Sequence, residues 1–115
     1  MTREEAEAVL TAAGQAEDDA FPLLEAAIAC AIHDHPLRDP EPVRALARNA
    51  CDRLKERIGG EGPDEALAET LCADLRLNGD LIHYDHPDNT DIIAVAERRR
   101  GLSAVLAVFY LHAAR

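Results

Sequence analysis

Apolar positions recur along most of this chain at spacings of three and four residues, the period of a helix with one covered side. Val9, Leu10 and Ala13 give a weak apolar side to a first helix over 2–13. Thr2 and Glu5 stand at capping-box spacing at its start, and Gly14 is its natural stop. This helix is expected at the periphery. Glu17, Asp18 and Asp19 precede a second helix, where acids favour the positive end of the helix dipole. Leu24, Ala27, Ile28, Ala31 and Ile32 form its stripe; Pro22 sits in the tolerant first turn and Pro36 ends it. Asp39-Pro40-Glu41 opens a third helix with a cap, a first-turn proline and an acid. Its stripe, Val43, Leu46, Ala47, Ala50, Leu54 and Ile58, has nearly ideal spacing, and Arg44, Arg48, Asp52, Lys55 and Glu56 are expected to face water.

After the Gly59-Gly60 break, 63–75 reads as a fourth helix with Ala66, Leu67, Leu71 and Leu75 inward. Asn78-Gly79-Asp80 is a turn signal, and 81–89 has no helical period, so it reads as an ordered loop with room for an extended piece at 81–84. Thr90 is the expected cap of a fifth helix, 91–99, with Ile92, Ile93 and Ala96 inward. The last stretch, 102–114, is the most apolar of all; only Ser103 and His112 interrupt it. A helix apolar on all sides has to be covered on all sides, and this one is shorter than the roughly 20 residues a bilayer needs. The expectation is an all-α, single-domain bundle of five or six helices, 1–115, wrapped around a buried C-terminal helix that Ser103 caps. Gly101 is its structural corner, expected to supply a positive φ.

Composition narrows the function classes. A chain of 115 residues holds one modest core. A net charge of −10 opposes binding to nucleic-acid phosphates and to anionic lipid, so neither nucleic acid nor a membrane is an expected partner. Cys30, Cys51 and Cys72 form no C-x-x-C pair, and the acidic start has no signal-peptide core, so a reducing, cytoplasmic setting is expected with the thiols inert in or near the core.

Candidate chemistry is sparse. Cys30 with His33 and His35, and His83 with His86, lack metal-ligand spacing. Asp85, Asp88 and Asp91 lack the glycine and glutamate of a calcium loop. No metal and no cofactor is expected. Arg98, Arg99 and Arg100 are the basic cluster of an acidic chain and candidates for binding an anion, although cations at a helix C-terminus also serve the dipole.

The C-terminal third carries a specific order of features. Asn78-Gly79 is followed by Tyr84-Asp85, Asn89-Thr90, the run Glu97-Arg98-Arg99-Arg100-Gly101, and an apolar helix with Tyr110 inside it and Ala114-Arg115 at its end. With the Asp39-Pro40-Glu41-Pro42 opening, this pattern resembles the transglutaminase-like family that includes the bacterial SirB invasion-regulator proteins. The resemblance adds Tyr84 and Asp85 to the candidate binding residues. It implies a link to enzymes whose nucleophilic Cys starts the core helix, where the dipole and a His lower its pKa. Here Ser103 stands two residues after Gly101, and no residue follows Arg115 to supply the family's later His and Asp. The resemblance therefore implies the helical half of the fold without its sheet, a non-catalytic module acting through protein–protein contact. That contact is a protein partner or a homodimer through the apolar C-terminal helix. Two alternatives stand beside it. One is a hydrolase or acyltransferase with Ser103 as catalytic nucleophile, His83 or His86 as base, and Asp85 or Asp88 orienting it. The other is a fragment of a longer transglutaminase-like protein.

Overall fold

Residues 1–58, 60, 62–79 and 86–114 are described in the computed structural model of this chain. Helix α1, Arg3–Gln15, starts at the expected capping box: Thr2 Oγ1 accepts from the Glu5 N–H at 3.1 Å, and Glu5 Oε1 accepts from the Thr2 N–H at 3.2 Å. The Thr2 N–H, and after it the Thr2 hydroxyl, hold the Glu5 carboxyl below its ordinary pKa, because they favour the charged form. Gly14 does not stop the helix, which closes one residue later. Helix α1 is peripheral, as its weak apolar side implies, with most of its residues exposed. Ala6 is fully buried and Ala13 nearly so, and these short side chains let α1 lie along α2, Leu23–Asp34. Arg3 Nε donates to the His33 carbonyl at 3.2 Å, which sets the start of α1 beside the end of α2.

Between them, Asp18–Ala20 forms a 3-10 turn of its own. Helix α2 buries Leu24, Ala26, Ile28, Ala29, Ala31 and Ile32, more than one stripe, because α1 covers one side and later helices the other. Helix α3, Glu41–Ile58, opens with Asp39 Oδ1 accepting from the Glu41 N–H at 2.9 Å. Its expected stripe is buried from Val43 to Leu54. Arg44 is not a water-facing residue: it forks onto both oxygens of Glu25 on α2, at 3.2 and 3.0 Å. That pairing raises the Arg44 pKa.

Helix α4, Pro63–Ala68, runs into a wide π turn, Glu69–Asp74, in which Leu75 N–H reaches back to Thr70 O at 3.0 Å. Arg57 on α3 grips Glu69 at one end of this turn and Asp74 at the other, the latter at 2.6 Å. Leu71 and Leu75 still point inward, as their spacing predicts, and Leu77 just beyond the turn is buried as well. Asn78-Gly79 is not a turn. It is strand β1, paired in parallel with β2, Arg100–Gly101, so among the described residues the all-α fold carries one two-residue strand pair. The expected extended piece at 81–84 lies outside the described residues.

A 3-10 turn, Pro87–Thr90, leads into helix α5, Ile92–Arg98. The cap of α5 is Asp91, not Thr90: Asp91 Oδ1 accepts from the N–H groups of Ile93 at 2.9 Å and Ala94 at 3.2 Å. Helix α6, Ser103–Ala114, follows. Its first-turn N–H groups, Val105 and Leu106, donate to the Leu102 carbonyl, both at 3.0 Å, so Ser103 is the exposed first helical residue and not the cap.

The buried centre is α5, not α6. Ile92, Ile93, Ala94, Val95 and Ala96 are all buried, with α2, α3, α6 and the strand pair around them. Covering the three branched side chains contributes about 2 kcal/mol each. Of α6, Leu106 and Phe109 are buried, Val105, Val108, Tyr110 and Ala113 are half-covered, and Leu111 is 54 % exposed. The five consecutive apolar residues of α5 fit inside a small core whole. The ten apolar residues of α6 offer more surface than its neighbours cover.

Candidate functional site

The corner between α5 and α6 collects most of the candidate residues. Arg99 takes φ 61° and ψ 22°, the left-handed conformation that closes a helix and that glycine more often supplies. Gly101 does not have the positive φ expected of it. It is glycine for want of space: a Cβ there would lie 2.5 Å from Val95 Cγ2, 3.1 Å from Val95 Cγ1 and 3.2 Å from the Asn89 carbonyl oxygen. The three arginines diverge. Arg98 Nη1 donates to Oδ1 of the fully buried Asn89 at 3.0 Å. Arg99 Nη1 donates to the Leu75 carbonyl at 2.7 Å and its Nε to the Ala96 carbonyl at 3.1 Å. Arg100 is exposed on β2. Asn89 also accepts the Leu102 N–H on its backbone oxygen at 3.1 Å, so it joins both sides of the corner. Arg98 and Arg99 brace this corner and do not converge with Arg100 on one anion.

Beside the corner sits a charged cluster that sequence reasoning missed. Arg38, from the loop after α2, donates to Asp91 Oδ2 at 2.9 Å and to Asp88 Oδ1 at 3.4 Å. His35 Nε2 lies 3.9 Å from the same Asp91 oxygen. The buried Asp91 thus serves α5 with one oxygen and the α2–α3 loop with the other. Nothing at Arg38 signals this pairing, since the two residues lie 53 positions apart. His86 Nδ1 accepts the Asp88 N–H at 3.1 Å, which leaves the proton of the neutral ring on Nε2. Asp88 is tied to Arg38 and His86 to its own turn, while His83, Tyr84 and Asp85 lie outside the described residues.

The thiols are not core residues. Cys30 and Cys72 are exposed and Cys51 is half-buried. Cys72 Sγ–H donates to Asn78 Oδ1 at 3.3 Å. Burial, and then the nearby Cys72, push the Tyr110 phenol above its ordinary pKa. Among the described residues no group of three His, Cys, Asp or Glu side chains is placed to hold a metal ion. Among them, too, no helix is long and apolar enough to cross a membrane.

Two apolar features complete the surface. The outer side of α6, with Ala104, Leu111 and Ala114 exposed, carries no charged side chain among the described residues. At the C-terminal end of α6 a cleft of about 770 Å³ opens against the start of α2, the middle of α3 and the start of α4.

The family model of the transglutaminase-like superfamily matches residues 41–115. The chain belongs to the transglutaminase-like superfamily. The match begins at the first residue of α3 and takes in α4, α5, the corner and α6. No curated protein matches the chain, and no solved structure does. Within the transglutaminase-like region the thiols are Cys51 and Cys72 and the serine is Ser103. Cys51 lines the cleft, Cys72 lies on the π turn and Ser103 on the first turn of α6, so they occupy three separate places.

Proposed function

We propose that this transglutaminase-like chain is a non-catalytic helical module of the SirB-like branch, working in regulation or scaffolding through protein–protein contact. Its contact surface is the outer side of α6, and the partner favoured is a second copy of the chain. One observation carries the reading: α6 is apolar on every side, yet only Leu106 and Phe109 are buried. Leu111, Ala104 and Ala114 leave a charge-free strip open to solvent, which a helix-on-helix contact would cover. The SirB-like assignment rests on the Asn78-Gly79 pair, the Glu97–Gly101 run and the apolar helix after it. Ser103 in place of a thiol supports the absence of chemistry, because a helix dipole does not ionise a hydroxyl whose pKa lies far above that of a thiol.

The test joins light scattering with a turnover assay. Wild type is expected to sediment and scatter as a dimer, and Ala104→Glu with Leu111→Glu as a folded monomer, since both positions are exposed. Amine incorporation into a glutamine peptide and ester hydrolysis are expected at background rates. A wild type that stays monomeric at high concentration, or turnover that Ser103→Ala abolishes, would overturn the reading.

A further inference from the structure

The cleft at the end of α6 meets the outer strip only at Ala114, and its chemistry points to a ligand. Its floor is apolar: Leu24 and Leu54 are buried beneath it, and Leu67 and Cys51 are half-covered. A volume of about 770 Å³ is in the range of small-molecule sites. Three ionisable side chains besides the thiol line it: Glu25, Lys55 and His112. Both oxygens of Glu25 are occupied by Arg44, so its charge is matched within the fold. Lys55 is exposed and forms no ion pair among the described residues. The chain carries a net charge of −10, yet among the described residues lining this cleft the full charge without an ion-pair partner is that of Lys55.

The helix ends order the cleft further. The wall from α2 consists of Pro22, Leu23, Leu24 and Glu25, the cap position and first turn of a 12-residue helix with no side-chain cap. The Leu23 N–H is taken by the Phe21 carbonyl at 2.9 Å, and the first-turn N–H groups of Leu24 and Glu25 favour an anion. The wall from α6 is its closing turn, with His112, Ala113 and Ala114, whose carbonyls disfavour one. Within this lining Lys55 is the side chain suited to an anionic group, and the leucines are suited to an apolar body.

We propose that this cleft binds a small amphipathic acid, an aliphatic chain ending in one carboxylate, with the chain on Leu24, Leu54 and Leu67 and the carboxylate at Lys55. The attraction of Lys55 is to the charge and the apolar floor is indifferent to it, so the two contributions separate experimentally.

The probes are dodecanoate and dodecanol, titrated calorimetrically into the full chain below their micelle-forming or solubility limits. Dodecanoate is expected to bind one molecule per chain, about tenfold more tightly than dodecanol, as one charge-assisted contact implies. Lys55→Gln is expected to bring dodecanoate to the affinity of dodecanol and leave dodecanol unchanged. Ala113→Phe, which fills the rim at a half-buried position, is expected to abolish both, with the helical circular dichroism of wild type confirming the fold. Amide shifts on titration are expected on Leu23–Glu25 and Cys51–Lys55. No binding of either probe overturns the proposal. So does equal affinity of the two probes for wild type, or shifts confined to the outer side of α6. Dimer formation by the outer strip is read separately by light scattering, so either idea can fail alone.

Discussion

Gly101→Ala adds a single methyl group at the α5–α6 corner, and its cost follows from the packing there. The new Cβ would sit 2.5 Å from Val95 Cγ2, closer than real side-chain contacts come. Val95 is fully buried on α5, and a valine in a helix has essentially one rotamer, so it cannot swing aside. Overpacking of this kind costs about 2 kcal/mol, or a fall of roughly 8 °C in Tm for a chain of this size. Val95→Ala alone removes two methyl groups from the core at a cost of about 2 kcal/mol. It also removes the two closest obstacles to a Cβ at 101, leaving the Asn89 carbonyl oxygen at 3.2 Å. The double variant should therefore be more stable than the sum of the singles by at least about 1 kcal/mol. Urea unfolding followed by circular dichroism measures all four proteins in one cycle. A glycine needed for a left-handed backbone would behave otherwise: Gly101→Ala would cost the same with or without the Val95 methyls. Additive singles would refute the steric account.

Other residues around the corner and at the first cap make separate predictions. Asp91→Ala removes the α5 cap and the partner of Arg38 together, and should cost about 3 kcal/mol. Asp91→Asn keeps the capping oxygen and should lose less, measured by the same unfolding. At Arg99, glycine accepts φ 61° without a Cβ. Arg99→Ala should therefore be less stable than Arg99→Gly by about 1 kcal/mol, although both lose the bond to the Leu75 carbonyl. A larger loss for Gly would refute the left-handed closure. Glu5 has its pKa lowered in the folded chain by its bonds to Thr2. Its stabilising effect is complete above the unfolded carboxylate pKa and disappears as pH falls through the lower folded value. Glu5→Gln, which removes the titrating group, should flatten that part of the acid limb in a pH series of melting curves, and an unchanged limb would remove Glu5 from the account.

Local signals decided local structure in this chain. The reciprocal box at Thr2 and Glu5, the stripe from Val43 to Leu54 and the inward leucines at 71 and 75 lie where spacing puts them. They do so because capping and amphipathic periodicity act within a few residues of sequence. The transglutaminase-like resemblance was also legible, since it rests on an order of residues along the chain. What spacing cannot contain is which apolar segment the others surround. Residues 102–114 are apolar on every side and read as the centre. Yet α5, with Ile92 to Ala96 in one unbroken run, occupies it, because coverage depends on neighbours from distant parts of the chain. The same limit hid the bond from Arg38 to Asp91 and the reach of Arg99 to the Leu75 carbonyl. It also hid the reason for Gly101, whose missing side chain makes room for Val95. In each case both partners are ordinary residues in sequence, and only the folded arrangement brings them within contact distance.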